Sequence, residues 1–169
     1  NIISLRYFNP IGAHPSGLLG ENPNNIPNNL MPHILNIAYK NIKNNDSNKF
    51  LLVFGDDYDT IDGTCIRDYI HVMDLAESHI LAINKLYNTN INYDFINIGL
   101  GKGTSVLELI KVFEDINKVK VPYKIANRRN GDISESYCSC KKSKIELNFT
   151  PKYTIKDMCK DAWNYKLLN

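Results

Sequence analysis

Apolar residues in this chain fall into short runs and helical stripes, separated by clusters of Gly, Pro, Asn and Asp. The run Ile2-Ile3-Ser4-Leu5 has the continuity of a buried strand. It breaks at Asn9-Pro10, because proline cannot donate to a ladder and restricts the residue before it. Gly12 permits a further bend. Two aromatics, Tyr7 and Phe8, and the amide of Asn9 are thus delivered to the carboxyl end of a strand. In open α/β sheets ligands bind there; a plain strand end with a turn is the alternative. A Gly/Pro/Asn-rich loop over 15–28 comes next, long enough to suggest a function. Leu30, Ile34, Ile37 and Ala38 then recur at helical spacing, with Pro32 in the first turn and Asn28 as candidate N-cap. Asn29 is left for a ligand or for solvent.

A polar loop is expected over 44–48, then the short strand Phe50-Leu51-Leu52-Val53-Phe54, ending at Gly55. Its free edge could hold a flat base through backbone hydrogen bonds; core packing is the alternative. After the acidic turn at 56–63, Arg67-Asp68-Tyr69-Ile70-His71-Val72 reads as a strand opening on a charge pair. Arg67 suits a phosphate, which a guanidinium binds through two parallel hydrogen bonds; a salt bridge to Asp68 is the competing reading. Asp74 is expected to cap a helix with Leu75, Ile80, Ile83 and Leu86 on its apolar face. The strand Phe95-Ile96-Asn97-Ile98 leads through Gly99-Leu100-Gly101-Lys102-Gly103 into a helix opened by the capping box Ser105-x-x-Glu108, with Leu107, Ile110, Phe113 and Ile116 on one face. The glycines are spaced G-x-G-x-G, and no acidic residue follows on a next strand. They are therefore read as a tight turn rather than a dinucleotide fingerprint. Val121-Pro122-Tyr123-Lys124-Ile125 is an edge-type strand because it contains proline. It runs into Arg128-Arg129-Asn130-Gly131-Asp132, suited either to an anion plus a sugar hydroxyl or to a solvated basic turn. Ser143-x-x-Glu146 is expected to begin a short helix. Thr154 is expected to cap a last one whose apolar face is Ile155, Met158, Cys159, Ala162 and Trp163.

Composition narrows the classes. The 169 residues are 43% hydrophobic and 22% charged, the balance of a globular domain with room for a core. A net charge of +2 argues for neither nucleic acid nor membrane binding, and no apolar run reaches transmembrane length. The four cysteines include a C-x-C pair, Cys138 and Cys140, without zinc-type spacing, so they are read as reduced, cytosolic thiols. The glycosylation sequons at Asn45 and Asn148 carry little weight without a secretory signal. The start at Asn1, directly before a strand, suggests one part of a longer protein. No Ser-His-Asp set, paired carboxylates or P-loop emerges. The residues alone describe a mixed α/β binding domain for an anionic, hydroxyl-rich ligand.

The strings Arg6-Tyr7-Phe8-Asn9-Pro10-Ile11-Gly12-Ala13-His14-Pro15-Ser16-Gly17 and Ile26-Pro27-Asn28-Asn29-Leu30-Met31-Pro32 resemble the UDP-glucose 4-epimerases, a group within the extended short-chain dehydrogenase/reductase enzymes. So do Val53-Phe54-Gly55-Asp56-Asp57-Tyr58, the stretch from Asp62 to Leu75, and Arg128-Arg129-Asn130-Gly131-Asp132. The likeness covers nearly the whole chain in the family's order and spacing. It implies an α/β fold: the C-terminal part of an NAD-binding Rossmann enzyme, mostly its mixed α/β substrate-binding domain. Residues 1–10 would complete the Rossmann sheet, 11–169 would bind the UDP-sugar, and 67–90 would return to the Rossmann sheet.

The resemblance also implies roles. Tyr7 and Phe8 would lie by the nicotinamide of NAD. Asn9, Asn29 and Leu30 would contact the substrate, and Leu52, Val53 and Phe54 would hold the uracil. Arg67 and Arg129 would clamp the diphosphate, Asp132 the ribose. Ser136 stands at a gatekeeper position, where a small residue implies acceptance of N-acetylated sugars. The reaction implied interconverts UDP-glucose and UDP-galactose through a 4-keto sugar that turns about its link to the diphosphate, in a cytoplasmic homodimer with no nucleic-acid or membrane partner. The family's Tyr-x-x-x-Lys dyad and NAD phosphate loop belong to an N-terminal Rossmann half outside this chain, and no Tyr-x-x-x-Lys here stands in a matching context. The chain alone is therefore expected to be inactive. A non-catalytic nucleotide-sugar module, or a 4-epimerase of another UDP-sugar, is the alternative.

Overall fold

A computed structural model describes residues 1–44 and 49–169. Most of the loop expected at 44–48, with the sequon at Asn45, lies outside the described residues. The chain order is β1 (Ile2–Tyr7), β2 (Asn9–Ile11), α1 (Leu30–Asn44), β3 (Leu51–Phe54), β4 (Ile66–His71), α2 (Val72–Asn88), β5 (Tyr93–Ile98), β6 (Gly103–Ser105), α3 (Val106–Asn117), β7 (Tyr123–Ala126), β8 (Glu135–Ser136), α4 (Lys141–Leu147) and α5 (Ile155–Leu168).

Three small sheets form among the described residues. β1 and β5 run parallel, Ile2 beside Tyr93 through Tyr7 beside Ile98. β4 is the hub of the second sheet. Its end, Tyr69 to His71, pairs with β2, while its start pairs with β6 and β8. β3 and β7 form a third, parallel pair. Within the segment 67–90, α2 packs against β1, and the strand hydrogen-bonded to β1 is β5.

Alternation along β4 feeds two cores, since successive side chains of a strand point to opposite faces. Tyr69 joins the larger core, where α1, α3 and α5 bury Met31, Ile34, Phe113, Met158 and Trp163. The Phe113 and Trp163 rings meet edge-on at 5.6 Å, a favoured aromatic geometry. Ile70 joins the smaller core with Leu75, Ile96 and Ile98.

Helix ends follow local chemistry, with three corrections. α5 begins as expected: Thr154 Oγ1 accepts from Asp157 N–H, and the Asp157 carboxylate accepts from Thr154 N–H. α2 is capped by His71, whose Nδ1 accepts from Met73 N–H, and not by Asp74. Asp74 is fully buried and accepts from the backbone N–H of Lys152 and Tyr153, so a tertiary demand overrides its capping preference. α2 turns Leu75, Ser78 and Ala82 inward, and the expected Ile80 and Ile83 face outward at 58% and 45% exposure. α4 begins at Lys141 rather than Ser143, whose hydroxyl instead donates to the Cys140 carbonyl.

The glycine segment 99–103 is a turn into a strand rather than directly into a helix. It closes on the Asp68 carboxylate, which accepts from the backbone N–H of Leu100 and Gly101 at 2.8 and 3.0 Å. Ser105 then caps α3 by accepting from Glu108 N–H. Its own hydroxyl donates to Asp62.

Candidate functional site

The bend after β1 sets the site. Gly12 has φ +93°, and a Cβ there would stand 2.9 Å from His71 Nε2, so this position requires glycine. The break between β1 and β2, at Phe8, moves the chain from the β1–β5 pair to β4 and places Asn9 beside Tyr69; Gly12 turns it again after β2.

A cavity of about 670 Å³ opens between β2, the start of α1, β3, β4 and the 129–132 turn. Nine of the expected site residues line it: Asn9, Asn29, Leu30, Leu52, Val53, Phe54, Arg67, Arg129 and Asp132. A second cleft, about 500 Å³, is lined by Arg6, Tyr7, Phe8, Asn9, Arg67, Asn97 and Ser136. The two share Asn9 and Arg67. Every site residue expected from sequence thus lines one or both of these clefts. On β3, beside the first of them, Val53 is buried and Leu52 is 45% exposed.

The cations are held differently. Arg67 Nη1 donates to the carbonyls of Ile66 and Ile133, both at 2.9 Å, and Nη2 to Asp132 Oδ1 at 3.3 Å. The competing salt bridge with neighbouring Asp68 does not form, because that carboxylate turns to the other face of β4. Arg129 lies over the Phe54 ring at 4.0 Å and makes no ion pair among the described residues. Arg128 is tied to Asp57 at 2.6 Å and stacks on Tyr58 at 4.1 Å, outside the cavity. Its hydrogen bond holds the Asp57 carboxyl below the usual range. Two adjacent arginines are therefore split into one structural and one uncommitted cation. Asn29 Nδ2 donates to Glu21 Oε1 at 3.4 Å. Ser136 sits beside Arg67 in the β8–β4 register.

Sequence reasoning passed over Tyr69, His33 and Asn97, which also line these clefts. Tyr69 carried a signal: it follows Arg67 by two on a strand, hence on the same face. Burial pushes its phenol up. His33 lies one turn beyond Leu30 and reaches the Pro27 carbonyl at 2.7 Å. The string Tyr-x-x-x-Lys occurs at Tyr39/Lys43 and Tyr137/Lys141, yet none of these four residues lines either cleft. Lys43 instead lies over the Tyr39 ring at 4.9 Å. No group of three or more His, Cys, Asp or Glu among the described residues could hold a metal ion. No helix among them is long and apolar enough to cross a membrane.

A family model described as GDP-mannose 4,6 dehydratase matches residues 1–162. A UDP-glucose 4-epimerase of Cyamopsis tetragonoloba is 51% identical over 99% of this chain and 46% of its own length. That of Bacillus subtilis is 47% identical over the whole chain and 48% of its own length. Among solved structures, the Stenotrophomonas maltophilia UDP-glucose 4-epimerase with NAD and formylated UDP-arabinopyranose superposes with a TM-score of 0.92 at 43% identity, over 99% of this chain and 48% of that one. The Bifidobacterium longum UDP-glucose 4-epimerase with NAD+ and UDP gives 0.90 at 44% identity, over 100% and 48%. The chain thus spans about half the length of these relatives. It belongs to the family described as GDP-mannose 4,6 dehydratase, and within it matches the C-terminal half of the UDP-glucose 4-epimerases.

Proposed function

We propose that this chain is the UDP-hexose-binding half of a UDP-glucose 4-epimerase. The observation that carries the reading is the convergence of Asn29, Phe54, Arg67 and Arg129 on one cavity, joined at Asn9 and Arg67 to the cleft beneath Tyr7 and Phe8. Leu52, Val53 and Phe54 offer an apolar wall for the uracil, and Asp132 an acceptor for the ribose. Arg67 and Arg129 hold the diphosphate. Arg67 is already fixed by two carbonyls and a carboxylate, so little side-chain freedom remains to be lost on binding. A clamp on the diphosphate leaves the hexose free to turn about its linkage, toward Asn9 on one side and Ser136 on the other. Positioning of this kind supplies much of an enzyme's rate.

The residues present fit one end of NAD only. Tyr7 and Phe8 provide rings at the carboxyl end of β1 for the nicotinamide. The 99–103 turn has no place for the phosphates, because the Asp68 carboxylate already takes its N–H groups and repels a second anion. Bound there, NAD supplies a hydride acceptor and donor for C4 of the hexose. The acid–base pair and the phosphate loop belong to the other half of such an enzyme.

Ser136 refines the substrate class. It is half-buried in the second cleft and presents only a hydroxymethyl group. The space beside it suits an acetamido substituent, so we extend the reading to UDP-GlcNAc and UDP-GalNAc.

Calorimetric titration with UDP tests the clamp. Arg129→Ala should weaken UDP by roughly 1.5–3 kcal/mol, the range for a hydrogen bond to a charged group. Arg128→Ala, which loses only its bonds to Asp57 and its stack on Tyr58, should leave UDP affinity unchanged. Absence of UDP binding in the unaltered protein, or equal affinities for Arg129→Ala and the parent, overturns the reading.

A further inference from the structure

Cys138 and Cys140, unused by the nucleotide site, are packed as a unit. Their sulfurs lie 3.3 Å apart. The Cys138 N–H donates to Asp68 Oδ2 at 3.2 Å, and the Cys140 thiol donates to the Gly99 carbonyl at 3.3 Å. Gly99 and Gly101 are small because these groups stand against them. A Cβ on Gly99 would meet Asp68 Oδ2 at 2.5 Å and Cys138 Sγ at 2.7 Å; one on Gly101 would meet Cys140 Sγ at 3.0 Å. Asp68 stands in β4 between Arg67 and Tyr69, on the opposite face from both. Cys138 follows Ser136 by two residues, and Ser136 is registered against Arg67. The dithiol is therefore buttressed against the back of the strand that carries Arg67.

We propose that Cys138 and Cys140 form a reversible dithiol–disulfide site, oxidised by small-molecule disulfides such as oxidised glutathione, and that its closure weakens the hold of Arg67 on a nucleotide diphosphate. The second part rests on the UDP-binding reading above. Cys140 is the half-exposed member of the four cysteines; Cys65, Cys138 and Cys159 are buried. Entry is therefore at Cys140. Its thiolate attacks one sulfur of the oxidant, forming a mixed disulfide and releasing one molecule of thiol. The Cys138 sulfur then attacks Cys140 Sγ and releases the second. Two S–H bonds and the oxidant's S–S bond break; one protein S–S bond and two thiols form. Burial raises both thiols above the ordinary cysteine range. The thiolate is thus scarce at neutral pH, and closure is slow and accelerates with alkalinity.

Closure has a structural consequence. The sulfurs must move from 3.3 Å to a bond of about 2.05 Å. The Cys140 hydrogen that reaches Gly99 is lost as well. Both changes fall on the segment that follows β8 and is tied to β4 through the Cys138 N–H bond to Asp68. A displacement near 1 Å in a positioning group costs up to about a hundredfold in the functions it serves, and about tenfold in UDP affinity is expected here.

The test uses the full-length protein, incubated with oxidised or reduced glutathione, alkylated and mapped by peptide mass, with parallel UDP calorimetry. The expected result is a 138–140 cross-link lacking two hydrogens, reversed by dithiothreitol, with UDP affinity lowered about tenfold and restored on reduction. Cys140→Ser should bind UDP like the reduced parent and ignore the oxidant. Free alkylation of both thiols after oxidation, arrest at a glutathione adduct on Cys140, or unchanged UDP affinity in the cross-linked protein overturns the proposal. If the reduced protein fails to bind UDP, the UDP reading falls and takes the second part with it, while the mass map still decides the cross-link.

Discussion

At the scale of single residues, His71 couples the fold to pH. It is fully buried, its Nδ1 accepts from Met73 N–H at 3.0 Å, and its ring stacks on Tyr153 at 4.1 Å. A lone pair at Nδ1 requires the neutral ring, with the proton on Nε2 donated to Asp161 Oδ2 at 3.2 Å. The contact to Asp161 is thus a hydrogen bond of a neutral imidazole rather than an ion pair. Burial pushes the His71 pKa below 6.5, outweighing the opposing pull of Asp161, Asp74 and Asp157. Below pH 6.5 the unfolded chain therefore binds a proton that the folded chain refuses, and stability is lost as pH falls through that value. Urea midpoints measured on either side of pH 6.5 should show the decline, and His71→Gln should flatten it; an unchanged slope in that variant counts against this account. Ser136 carries a second residue-scale expectation. In the full-length protein, Ser136→Tyr should fill the space beside Arg67, abolishing turnover of UDP-GlcNAc while that of UDP-glucose persists. Equal loss on both sugars would show a general distortion instead.

Elements show which information is local. The cap of α5 was legible because Thr154 and Asp157 lie within one turn and satisfy each other. Thr154→Ala should cost about 1–2 kcal/mol, read as a lower urea midpoint with UDP affinity unchanged, since α5 contributes nothing to the cleft lining. The strands at Leu51–Phe54 and Phe95–Ile98 were legible for a similar reason, being largely apolar stretches stopped at glycine, though the second in fact begins two residues earlier, at Tyr93. What sequence could not supply were partners brought from far along the chain. Asp68 finds Leu100, 32 residues away, and Cys138, 70 away, so its neighbour Arg67 is left for the cleft. Arg128 and Arg129 are adjacent and chemically identical, yet Asp57, 71 residues from Arg128, commits only that one to structure. Asp74 was misassigned to a cap because the backbone donors that claim it are 78 and 79 residues on. The inward face of α2 was misjudged because hydrophobic spacing marks a stripe without saying which arc the neighbouring strand covers.

For the whole molecule, the proposed function separates binding from chemistry along the chain. The residues expected to grip UDP line two clefts that share Asn9 and Arg67, whereas the exposed rings and edges of the β1–β5 pair present Ile2, Tyr93 and Phe95 outward at 58%, 63% and 47%. In a parallel α/β sheet such a face is ordinarily covered, and these relatives carry as much chain again as is found here. Removing a sugar hydroxyl proton requires a base within hydrogen-bond reach of it. Neither Tyr-x-x-x-Lys string can serve. Tyr39 and Lys43 lie on α1, with Tyr39 packed on the larger core, and Tyr137 and Lys141 flank the dithiol. The 169 residues alone should accordingly bind UDP by calorimetry yet give no UDP-glucose to UDP-galactose conversion in a coupled assay. Substitution of Arg67 or Arg129 by Ala should weaken the first measurement without altering the second. Turnover by the isolated chain would mean that a proton-transfer group within these 169 residues reaches the sugar, and would overturn the division of labour argued here.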